Sequence, residues 1–141
     1  MRKSYIPRQL RRIVIQRAQG CCEYCLSQER FSTQAFSIEH IIPVEKGGAS
    51  TSDNLAFSCQ GCNNYKYTKI EGYDQVTHQI VPLFHPRQQQ WDEHFVWNED
   101  YTLIIGLTPI GRATVDTLHL NRVGVMNLRQ VLSIAKKHPP G

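Results

Sequence analysis

Two cysteine knuckles, Cys22-Glu23-Tyr24-Cys25 and Cys59-Gln60-Gly61-Cys62, bracket a Glu39-His40 dipeptide. Two residues between ligands let each knuckle turn tightly and aim both sulfurs at one ion, so four thiolates at this spacing suit one tetrahedral Zn²⁺. The residues between and just after the knuckles suit a different chemistry. An imidazole with an ordinary pKa of about 6.5 is largely neutral at physiological pH, so His40 can take a proton from water. Glu39 and Asn63 offer oxygen to a hard cation such as Mg²⁺ or Mn²⁺. A base and a divalent ion suffice to hydrolyse a phosphodiester.

The charge distribution points to a polyanionic partner. Lys and Arg number 16 against 12 acidic residues, for a net charge of +4. Arg2, Lys3, Arg8, Arg11, Arg12 and Arg17 crowd the first seventeen positions. Arg8, Arg11 and Arg12 are candidates for sequence-independent phosphate contacts, with Lys66, which shares a helix face with Asn63 three residues earlier. The count of five cysteines is odd, and the chain starts without a long apolar h-region or a span of about twenty apolar residues. A soluble, cytoplasmic protein without a membrane partner is the expectation. In a reducing compartment the paired knuckles mean metal rather than disulfides. A thioredoxin-like redox site is disfavoured, because that chemistry needs one knuckle beside a βαβ pattern. Cys21 is the leftover thiol, buried or spare.

These residues need elements to hold them. Leu10, Ile13, Val14 and Arg17 recur at helical spacing, so a basic amphipathic helix is expected over residues 8–19, stopping at Gly20. Residues 36–42 read as a strand ended by Pro43, residues 45–52 with Gly47-Gly48 as a loop, and residues 55–58 as a second strand. A helix is expected over residues 63–70, closed by Gly72. Further on, Phe95 to Trp97 and Thr102 to Ile105 read as a hairpin. Thr108-Pro109 opens one helix, and a last helix runs from about Val125, with Lys136, Lys137 and His138 in its final turn. Trp91, Phe95 and Trp97 read as packed aromatics rather than base-stacking platforms. His78, His85, Arg87, His94, Arg112, His119 and Arg122 stand at no recognisable ligand spacing and read mostly as structural or surface residues.

Taken in order, the first knuckle, Glu39-His40-Ile41-Ile42-Pro43, Gly47-Gly48, Asn54-Leu55 and Cys59-x-x-Cys62-Asn63-x-x-Lys66 resemble the HNH endonucleases over roughly residues 20–70. The resemblance implies a ββα-metal core with His40 as general base, Asn54 fixing the loop near it, and Asn63 as third signature residue and metal ligand. Asn63 stands where the name-giving pattern has histidine, and Glu39 where aspartate is frequent. The fold class expected is α+β, one domain over residues 1–141. A basic helix occupies residues 1–20, a four-cysteine HNH core residues 21–72, and a hairpin-plus-helices extension residues 73–141. The expected activity is metal-dependent cleavage of DNA, with RNA also open as substrate. The alternative is a non-catalytic zinc-dependent nucleic-acid-binding module. One difficulty is geometric: neighbours on a strand point to opposite faces, yet Glu39 and His40 are both asked to serve one site.

Overall fold

The first helix, α1 (Arg8–Ala18), follows an extended Pro7 and ends where Gln19 and Gly20 both take left-handed backbone angles. The computed structural model describes residues 5–141, so Arg2 and Lys3 lie outside the described residues. Leu10, Val14 and Ala18, one per turn, form the packed stripe of α1. Ile13, expected in that stripe, is 49% exposed. Arg17 carries the helix onto its support instead, donating to Ser52 Oγ at 2.7 Å, Ser52 O at 2.6 Å and Leu55 O at 2.8 Å.

That support is a hairpin of β1 (Ser37–His40) and β2 (Leu55–Ser58), antiparallel, with Glu39 opposite Ala56 and His40 opposite Leu55. Alternation sends Ile38, Leu55 and Phe57 toward α1, where they join Ile6 and Val14 in one apolar cluster. Each fully buried side chain of this kind contributes roughly 1.5–3 kcal/mol. Glu39 and Ala56 face the other side, toward the knuckles.

The second knuckle starts α2 (Gln60–Lys66) itself, because Cys59 Sγ accepts the Cys62 N–H at 3.4 Å in the manner of an N-cap. The helix therefore begins three residues before the expected 63. It stops at Lys66, where Tyr67 takes φ 49°, and Gly72 does not cap it. Gly72 lies in β3 (Glu71–Asp74), which pairs with β4 (Gln79–Pro82) in a hairpin that the sequence pattern does not announce.

Beyond it come α3 (Trp91–His94), the hairpin of β5 (Phe95–Trp97) with β6 (Ile104–Gly106), α4 (Pro109–Leu118) and α5 (Val123–Ile134). Thr108 Oγ1 caps α4 by accepting the Gly111 N–H at 3.0 Å. Gly72 allows α4 to lie close on β3, since a Cβ there would sit 2.5 Å from Thr117 Oγ1. The last helix starts two residues before the expected 125. It also ends short of Lys136, Lys137 and His138, because Lys136 turns left-handed at φ 59°.

The extension packs on the knuckles rather than standing apart. Cys22, Tyr24, Cys25, Cys59 and Cys62 share one buried cluster with Leu83, Phe84, Phe95, Ile104, Leu118 and Leu120. Trp91 packs on Phe95 and Trp97, and its Nε1–H donates to Tyr24 O at 2.9 Å. Arg87 pairs with Glu23, whose other oxygen accepts the Phe57 N–H at 2.8 Å. The result is an α+β architecture of two-stranded antiparallel sheets around a four-cysteine cluster. No helix among the described residues is long and apolar enough to cross a membrane.

Candidate functional site

Cys22, Cys25, Cys59 and Cys62 bring four buried sulfurs within 4.8 Å of one another, and the Cys25 and Cys59 sulfurs are 3.6 Å apart. Zn–S bonds of about 2.3 Å in a tetrahedron put sulfurs about 3.8 Å apart, so the cradle fits such an ion. The proton chemistry agrees. Burial drives the Cys22 thiol well up, while hydrogen bonds among the sulfurs push Cys62 up and pull Cys25 and Cys59 down. Alone, the four sulfurs share protons, and a divalent ion is what lets all of them ionise. Cys21 stands outside this cluster, its Sγ 3.7 Å from Gln19 O.

His40 ends β1, half-buried, with its Nε2 2.8 Å from Ser50 Oγ. Burial lowers its pKa, and the Lys66 ammonium lowers it further, so the ring is neutral at physiological pH. The loop that brings Ser50 to it is tied down by Asn54. Asn54 Oδ1 accepts the Ile42 N–H at 2.9 Å, and its Nδ2 donates to Ile42 O at 3.0 Å and Ala49 O at 2.9 Å. Gly48 is required where the loop crosses itself, because a Cβ there would lie 1.7 Å from Ile42 O.

Glu39 points away from His40, into a buried network. Its Oε2 accepts the Tyr24 hydroxyl, and its Oε1 accepts Lys66 Nζ at 3.2 Å; Nζ also donates to Ile41 O at 2.8 Å. Glu39 is 7% exposed, Lys66 1% and Tyr24 fully buried. Lys66 is thus neither a phosphate contact nor a solvated lysine; it is the counter-ion that ties α2 under β1. The expectation that Glu39 ligates a catalytic cation meets the same obstacle, since both of its oxygens already have donors. As arranged it does not fit that role. Asn63 lies on the face of α2 that carries Lys66. It is half-buried, and its carboxamide has no hydrogen-bond partner among the described residues. The strand therefore separates His40 on one face from Glu39 and Lys66 on the other.

Arg8, Arg11 and Arg12 lie exposed on α1 beside Tyr5, around an open groove of about 670 Å³. Three participants escape sequence reasoning. Tyr24 stands in the sequence only as a residue between two knuckle cysteines, Ser50 only within a loop, and Arg122 only among residues read mostly as structural or surface. Only the tyrosine had a local signal, its place inside a knuckle beside two ligands. Arg122 donates to Cys59 Sγ at 3.2 Å and to Cys62 Sγ at 3.7 Å. Burial works against its charge, but the Cys62, Cys25 and Cys59 thiolates more than offset this and hold its pKa up.

A search of curated proteins finds no match. The comparison with protein families does, over the stretch that holds both knuckles, Glu39-His40, Asn54 and Asn63. Residues 22–69, about a third of the chain, match the HNH endonuclease family, and that matched stretch carries the residues on which this site is built.

Proposed function

We propose that this chain is an endonuclease that hydrolyses phosphodiester bonds in DNA. His40 is its general base, and a structural Zn²⁺ is held by Cys22, Cys25, Cys59 and Cys62. The observation that carries the reading is the His40 ring: neutral, half-exposed at a strand end, and oriented by Ser50 on a loop that Asn54 pins. In the tautomer we assign to the reactive state, Nε2–H donates to Ser50 Oγ and the lone pair that meets water is on Nδ1. The proton leaves the attacking water for that nitrogen as the oxygen approaches phosphorus. Arg8, Arg11 and Arg12 hold the polyanion by phosphate contacts that weaken steeply with salt. Zinc acts only on the scaffold, its four positions filled by sulfur.

HNH nucleases use divalent metals. A bound Mg²⁺ or Mn²⁺ would neutralise charge on the phosphoryl and leaving oxygens. Glu39, engaged by Tyr24 and Lys66, does not fit as a ligand for such an ion. That engagement favours a second reading, a zinc-dependent module that binds nucleic acid without cutting it.

One experiment separates them. Purified protein is incubated with supercoiled plasmid, with and without Mg²⁺, beside His40→Ala; a single-stranded RNA arm tests the other substrate. Nicked or linear product from wild type alone supports the enzyme. Salt-sensitive binding with intact plasmid in both samples supports the module, and equal cleavage by His40→Ala removes His40 as base.

A further inference from the structure

We propose that Arg122 is an outer partner of the four-sulfur metal site, through which the bound ion controls docking of the C-terminal extension. The proposal rests on the reading of that site as metal-binding.

Arg122 precedes α5 and stands sixty residues beyond Cys62. Its guanidinium faces two ways. Nη2 donates to Cys59 Sγ at 3.2 Å and Nη1 to Cys62 Sγ at 3.7 Å, while Nη1 also reaches His119 O at 3.1 Å and Leu118 O at 3.5 Å. One side chain thus spans the second knuckle and the end of α4. The knuckle is shaped to admit it: a Cβ on Gly61 would lie 2.5 Å from Nη2 and 2.7 Å from Cζ. Gly61 does not take a left-handed backbone, so the absence of a side chain there serves the guanidinium and not the turn.

Charge supplies the direction of the effect. Four thiolates around a divalent ion carry a net charge of −2 in a buried place, and a guanidinium is the counter-charge that the extension brings. Charge-assisted hydrogen bonds are roughly twice as strong as neutral ones. Partners one shell beyond a metal commonly change affinity about 10–100-fold when removed. The same linkage must run backwards: an ion that binds better when Arg122 is docked must hold Arg122, and with it the α4–α5 junction, more firmly.

The test uses the full chain. Zn²⁺ affinity is measured against a chromogenic chelator, and the Co²⁺-loaded protein reports the thiolates by their charge-transfer absorption. Arg122→Met should weaken Zn²⁺ binding about 10–100-fold and move the Co²⁺ band, with Arg122→Lys in between. Arg112→Met breaks the α4 anchor on Asp74 without touching sulfur, and should lose stability yet keep wild-type affinity. Limited proteolysis should open the 119–123 junction in wild type stripped of metal, and in Arg122→Met even when loaded. Wild-type affinity and an unmoved Co²⁺ band in Arg122→Met would overturn the proposal. If that variant does not fold, the same two results in Arg122→Lys overturn it. A wild-type chain that takes up neither ion removes the metal reading beneath it, an outcome distinguished by the wild type alone.

Discussion

Replacing Lys66 with methionine tests whether this lysine belongs to the interior or to the nucleic-acid surface. The variant keeps the side chain's bulk while removing the ammonium that meets Glu39 Oε1 at 3.2 Å and Ile41 O at 2.8 Å. At that distance, and with an effective dielectric constant near 20, the attraction lost is about 5 kcal/mol. Breaking a buried pair by removing one partner costs about 3–5 kcal/mol, because the remaining charge stays desolvated. With a urea slope of about 2 kcal/mol/M, the unfolding midpoint of the zinc-loaded protein should fall by about 2 M. Adding Glu39→Gln should recover much of that loss, since no uncompensated charge remains. The deficit has a pH signature. Burial already raises the Glu39 carboxyl and Lys66 holds it down, so in Lys66→Met it rises further. A raised carboxyl favours the protonated folded state, so the deficit is greatest at neutral pH and shrinks as pH falls through the raised value. A loss below about 1 kcal/mol, flat with pH, is what an exposed lysine gives and would refute the buried pair.

His40→Ala should keep the fold and zinc content while lowering cleavage about 10²–10⁴-fold, measured by single-turnover nicking of plasmid. Because burial and Lys66 hold the His40 pKa below its ordinary value, the acid limb of the wild-type rate should lie below pH 6.5; Lys66→Met should move that limb upward, and an unmoved limb would count against the ammonium's influence. Asn54→Ala leaves the Ile42 N–H, Ile42 O and Ala49 O without their partner, and should cost about 1–3 kcal/mol in urea unfolding while reducing cleavage. Arg11→Ala and Arg12→Ala should each flatten the dependence of log binding on log salt by about 0.9, read by fluorescence anisotropy on a labelled duplex, whereas Lys66→Met should leave that slope unchanged.

What the sequence makes legible here is local. The knuckle spacing specifies the four ligands because two intervening residues dictate the turn, whatever surrounds it. The strands at Glu39-His40 and at Leu55 were readable from pattern, and Thr108-Pro109 announced α4 through its cap. Other features depend on what each segment meets after folding. Lys66 carries the composition of a surface residue, and only the packing of α2 under β1 makes it an internal counter-ion. The helix expected over residues 63–70 shifts toward the N-terminus because a sulfur caps it, a role that residue type alone does not reveal. The β3–β4 hairpin is largely exposed on its Tyr73 and Ile80 face, so its apolar pattern gives no clean alternation. Arg122 had no readable signal, since its sulfur partners are sixty or more residues away.

Adjacent positions on β1 hold opposite assignments, and this makes the strand intolerant of changes in length. Deleting or inserting one residue between 37 and 40 would rotate every following side chain by half a turn. The imidazole would be driven against Tyr24 and the carboxylate out beside Ser50, so a single indel would abolish proton transfer and the ion pair together. The turn over residues 75–78, exposed at every position, is constrained differently, by Asp74, whose carboxylate accepts the Val76 and Thr77 N–H groups and the Thr77 hydroxyl. A change of length there would disturb the Asp74–Arg112 anchor of α4 but leave the register of β1 intact.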